Sequence, residues 1–155
     1  MDRFDLSNIS ETYHSMYNNM NEGVNLFKKR GSKITQKEFE KILEMFLIFA
    51  KRELKLKQIP EINFSYSSSF AAKRSAFGII TNRNVITVEA LDRHPMDILR
   101  TVAHELVHYS QYARNIHGNG KAGSVTEDEA NMKAGELLRN FGGKHSYLFK
   151  LGGLR

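Results

Sequence analysis

Apolar positions along this chain keep two different periods, and the first change of period falls near Pro60. Before it the spacing is helical. Between Glu11 and Lys29, the residues Tyr13, Met16, Met20, Val24 and Phe27 recur every three or four positions, and Gly31 follows as a stop. Residues 1–10 keep no period and read as an arm. A second helix is expected from Thr35, where Thr35-x-x-Glu38 forms a capping box ahead of Phe39, Ile42, Leu43, Phe46, Phe49, Ala50 and Leu54.

Past Pro60 the period becomes two. Ile62, Phe64 and Tyr66 alternate with Asn63 and Ser65, which predicts a strand. The polar, basic stretch from Ser67 to Ser75 predicts a loop. Phe77-Gly78-Ile79-Ile80 and Val85-Ile86-Thr87-Val88 then flank Thr81-Asn82-Arg83-Asn84 as a hairpin. The helical period returns from Met96 to Ala113, with Leu99, Val102, Leu106, Tyr109 and Ala113 as its buried stripe. Pro95 and Asp97 mark the start of this helix, and Asn115 and Gly118 its stop. A glycine-containing connection leads to a last helix with Ala130, Ala134, Leu137, Leu138 and Phe141 on its apolar face. The pattern predicts an α+β protein with a small antiparallel or mixed sheet. Residues 1–59 form a helical support for a core spanning 60–155, the two making one compact domain.

Composition narrows the class. The 155 residues are 41% apolar, enough for a true core, and no window reaches the uninterrupted apolar length of a membrane span. Cysteine is absent, so no disulfide framework or thiolate ligand is available. Met1-Asp2-Arg3-Phe4 lacks the basic-then-apolar order of a secretory signal, and the expectation is a cytoplasmic protein. The net charge of +6 lies largely in Lys28-Lys29-Arg30, Lys51-Arg52 with Lys55 and Lys57, Lys73-Arg74 and the C-terminus. Such patches allow weak contact with nucleic acid, but no nucleic-acid fold signature accompanies them, and a solvated face is the simpler reading.

The chemistry is concentrated in His104-Glu105-Leu106-Val107-His108, an H-E-x-x-H run. On a helix the two imidazoles project side by side from one face, here the face away from the apolar stripe. At that spacing they can fill two corners of a tetrahedral zinc site. Glu105 then stands beside the metal as a base for an activated water. A catalytic zinc takes a third protein ligand. On the following helix Glu127 lies about 40° from the centre of the apolar face and Glu129 about 120° from it, so Glu127 is the carboxylate aimed inward. Thr126-x-x-Glu129 offers Glu129 a capping role, although Ser124-x-x-Glu127 is a competing box. His117, before a glycine in the connection, reads as solvated.

An H-E-x-x-H helix followed by Glu127-x-x-Ala130-Asn131 resembles the gluzincin metallopeptidases. The resemblance implies a zincin-like fold, Zn²⁺ held by His104, His108 and Glu127, and Asn131 supporting a ligand histidine. It also implies that the strand before the metal helix, Val85 to Glu89, pairs with an extended peptide at the cleft edge. The run from Arg93-His94-Pro95 through Gln111 is similar to small H-E-x-x-H proteins of tailed bacteriophages, most of them described as peptidases, which would place the protein in the host cytoplasm. The metzincin pattern does not fit, because Gln111 and Arg114 stand where it requires glycine and histidine.

The expected function is therefore zinc-dependent hydrolysis of a peptide or protein substrate, with Glu105 as general base. Tyr109, Tyr112, His145 and Tyr147 are the candidates to stabilise the oxyanion. The alternatives are a zinc module that binds a partner without catalysis, and a basic peptidase recruited to DNA.

Overall fold

The computed structural model of the chain describes residues 2–3, 31, 33–67, 77–116, 118, 121 and 123–154. The expected first helix, from Glu11 to Lys29, and most of the loop expected between Ser67 and Ser75 lie outside them, as does His117. The architecture is α+β and compact. In chain order it runs β1 (Asp2–Arg3), α1 (Gln36–Glu53), β2 (Glu61–Ser65), β3 (Gly78–Thr81), β4 (Val85–Glu89), α2 (Pro95–Ala113), α3 (Val125–Lys144) and a 3₁₀ turn at Ser146–Lys150.

Local chemistry sets the boundaries. Thr35 Oγ1 accepts from the Glu38 amide at 3.2 Å, and Glu38 Oε2 accepts from the Thr35 amide at 2.7 Å, closing the capping box that begins α1. Asn82 and Arg83 take left-handed φ values of 50° and 62°, which turn β3 back onto β4 in antiparallel register, Gly78 opposite Val88 and Thr81 opposite Val85. At the start of α2, the Met96 amide donates to His94 Nδ1 at 3.1 Å. With Nδ1 accepting, His94 Nε2 carries the proton and donates to the Leu151 carbonyl at 2.7 Å, tying α2 to the C-terminal segment. That segment returns to α1, where Leu154 bridges Ile34.

The sheet has the order β1-β2-β4-β3, with β2 and β4 parallel and the other pairs antiparallel. Its apolar residues Ile62, Phe64, Ile86 and Val88 share one core with Phe39, Leu43 and Phe46 of α1, Leu99, Val102 and Leu106 of α2, and Leu137 and Phe141 of α3. Phe141 lies 5.2 Å from Phe46 and 5.6 Å from Phe49, ring centre to ring centre. Helix α2 packs against β3 and β4 and also against α3, so it carries its outward face into the space between sheet and helix.

The strand order corrects one expectation. β4 has a hydrogen-bonded neighbour on each side, so its backbone cannot take an added peptide. Among the described residues, the sheet edge beside the cleft is β3. The sequence places a hairpin there but carries no signal for which arm is outermost. No helix among the described residues is long and apolar enough to cross a membrane.

Candidate metal centre

His104 and His108 lie one turn apart on α2 and project to the same side. Their Nε2 atoms are 3.0 Å apart. Glu127, in the first turn of α3, reaches them from across the cleft. Its Oε2 lies 3.3 Å from His104 Nε2 and its Oε1 lies 3.0 Å from His108 Nε2. One ligand atom from each of the three residues lies within 4.8 Å of the other two, and all three side chains are partly buried. A zinc ion bonded at about 2.0–2.1 Å by tetrahedrally placed ligands separates those ligands by about 3.3 Å. The two ring nitrogens stand close to that distance apart, and the carboxylate turns a different oxygen towards each of them.

The other face of each ring is occupied. His108 Nδ1 lies 2.8 Å from Gln111 Oε1, and an amide oxygen only accepts, so this nitrogen carries the ring proton. The His104 ring makes a side-chain hydrogen bond to Asn131, the residue expected to support a ligand histidine. A His108 ring protonated on Nδ1 turns the Nε2 lone pair inward, towards a carboxylate and a second imidazole. Lone pairs packed this closely repel unless a proton or a cation sits among them, so the donor set fits a divalent ion.

Burial depresses the pKa of His104, with the neighbouring His108 adding to the effect, while Glu127 and Asn131 act in the opposite sense. The net direction favours the neutral imidazole, the form that binds metal. Glu105 is buried in the wall of the same cleft. Burial, reinforced by the Glu127 carboxylate against the opposing influence of His108, raises its carboxyl to about 7. A carboxyl in that range can take a proton and return it near neutral pH.

The start of α3 explains why Glu127 points inward. Ser124 is the N-cap, and its Oγ accepts from the Glu127 amide at 3.4 Å. Thr126 is already inside the helix, so the capping role expected for Glu129 is not made. Glu129 instead binds Gln111 Nε2 at 2.9 Å, Arg114 at 3.1 Å and Lys133 at 3.0 Å. Hydrogen bonds from Gln111 and Lys133, with Arg114 adding its charge, hold its carboxyl at about 2. In the sequence Gln111 appears as a departure from the metzincin pattern and as the end of the run similar to the phage proteins, with no role attached. Its position three residues past His108, on the same helical face, is the signal that could have identified it.

The cleft holds about 370 Å³ and is lined by Gly78, Ile79 and Ile80 of β3, by Tyr112 and Ile116, and by the residues around the two histidines and Glu127. Of the four oxyanion candidates only Tyr112 lines it. Tyr109 faces a separate cavity behind α2, between the end of α1 and α3. His145 is buried against Phe141, with ring centres 4.5 Å apart, and Tyr147 packs on the core. The register explains the selection: Tyr112 follows His104 and His108 at intervals of four, and Tyr109 does not. Protein-family models, curated proteins and solved structures were each compared with the chain, and none matches.

Proposed function

We propose that this protein is a gluzincin-type zinc metallopeptidase that hydrolyses peptide bonds. The observation that carries the proposal is the convergence of His104 Nε2, His108 Nε2 and the Glu127 carboxylate within 4.8 Å of one another, beside a buried glutamate and a strand that is at the sheet edge among the described residues. Zinc, when bound, supplies a Lewis acid that acidifies water and polarises a carbonyl. Glu105 takes the proton of the attacking water and passes it to the departing amine. Among the described residues β3 pairs only with β4, so its outer N–H and C=O groups can align an extended peptide across the cleft. Tyr112 lines the same cleft and is the candidate donor to the developing oxyanion.

Elemental analysis and peptide cleavage together test this reading. Wild type should carry one equivalent of zinc and cleave a peptide library. His108→Ala should lose the metal, and Glu105→Gln should keep it and lose turnover. Equal cleavage by wild type and Glu105→Gln discards the mechanism. Zinc-loaded wild type that cleaves no peptide leaves a metal-binding module without catalysis.

A further inference from the structure

We infer that Gln111 and Glu129 form a positioning relay that sets the ring tautomer of His108 and holds the glutamate helix at ligand distance. The inference rests on the zinc reading of the site. Gln111 is buried, with 2% of its surface exposed, and its amide has defined partners at both ends. Its Nε2 donates to the Thr126 carbonyl at 2.9 Å and to Glu129 Oε2 at 2.9 Å. Both partners are acceptors, so each takes one amide hydrogen. Flipping the amide would press Oε1 against two oxygens. The oxygen must therefore face His108, where it lies 2.8 Å from Nδ1.

The consequence for the imidazole is direct. With an acceptor fixed at Nδ1, the neutral ring keeps its proton there and presents the Nε2 lone pair to the centre of the site. Without that acceptor the proton could move to Nε2, where Glu127 Oε1 waits at 3.0 Å. A metal ion would then have to displace it. Glu129 is itself clamped by Arg114, the C-cap of α2, and Lys133 from α3, which hold its carboxylate in place to receive the amide.

The relay also spans the two ligand helices. Gln111 stands on the helix that supplies both histidines, and its second acceptor, the Thr126 carbonyl, immediately precedes Glu127. One buried amide thus joins the ring of one ligand to the backbone at another. Side chains that orient metal ligands in this way are typically worth about 10–100-fold in metal affinity.

Zinc affinity by competition with a chromophoric chelator tests the relay in wild type, Gln111→Leu, Glu129→Ala and Glu129→Gln. Gln111→Leu should bind zinc about 10–100-fold more weakly than wild type. Glu129→Ala should fall between the two, because the Thr126 carbonyl still holds the amide. Glu129→Gln should return towards wild type, because its carbonyl oxygen can still accept. Two-bond ¹H–¹⁵N correlation of the histidine rings in zinc-free protein adds a readout that simple destabilisation would not move. Wild-type His108 should be protonated on Nδ1, and Gln111→Leu should shift population to Nε2. If Gln111→Leu does not fold, the wild-type tautomer and the Glu129 pair still decide the matter. Folded Gln111→Leu binding zinc as tightly as wild type, or wild-type His108 protonated on Nε2, overturns the relay. Wild type without zinc affinity removes the metal reading and the relay with it.

Discussion

Replacing Gly78 by alanine should separate catalysis from metal binding. Gly78 opens β3, the strand at the cleft edge, and passes directly over α2. A Cβ at this position would lie 2.6 Å from Thr101 Cγ2 and 3.1 Å from both Cγ and Oε1 of Glu105. Carbon atoms in ordinary contact stand about 3.5–4.0 Å apart, so the Thr101 contact must open by about 1 Å. Thr101 cannot simply rotate away. Its hydroxyl donates to the Asp97 carbonyl at 3.1 Å and accepts from Arg93 Nη2 at 2.8 Å, and a new rotamer breaks both bonds. Relief must come from β3 moving outward or from Glu105 being displaced, at an overpacking cost of about 1–3 kcal/mol. For a domain of this size each kcal/mol lowers Tm by about 2–4 °C, so the expected loss is about 2–12 °C. A shift of about 1 Å in a catalytic group costs about 100-fold in rate. The atoms nearest an added Cβ belong to Thr101 and Glu105 and not to a proposed metal ligand, so zinc content should stay at the wild-type level while kcat/KM for a cleaved peptide falls by one to two orders of magnitude, about 10–100-fold. Gly135→Ala is the control. Nothing lies within 4 Å of a Cβ there, in the middle of α3, and the change should stabilise by about 0.5–1 kcal/mol without altering kcat/KM. Wild-type Tm and kcat/KM in Gly78→Ala would refute the steric argument.

Two further outcomes are expected. Tyr112→Phe keeps the ring that lines the cleft and removes the hydroxyl, so zinc content and KM should hold while kcat falls by about 100–1,000-fold, as for loss of one oxyanion donor; unchanged kcat would exclude Tyr112 from that role. His145 is buried and its pKa is lowered by that burial first and by the charge of Lys144 second. The unfolded chain therefore takes up this proton at a higher pH than the folded one, and stability falls as pH drops from about 6.5 towards the lower folded value. Thermal melts between neutral and mildly acidic pH should show wild type losing stability relative to His145→Asn as pH falls, and parallel curves would show that His145 contributes nothing to the slope.

Much of the protein was legible in its sequence because the relevant physics is local. The Thr35–Glu38 box, the turn at Asn82-Arg83 and the helix opened by Pro95 depend on residues within a few positions of one another, and the structure forms all three. The inward aim of Glu127 was legible for the same reason. A helix of fixed period carries a residue near the apolar face into the interior whatever it packs against. Tertiary structure alone decided the outer strand of the hairpin and the role of Glu129. Strand order depends on pairing between distant segments, and β4 lost its edge to β2, a segment separated from it in the chain by the whole of β3. Glu129 met Gln111 because two helices settled at one particular rotation and distance, and hydrophobic periodicity within either helix leaves that rotation open.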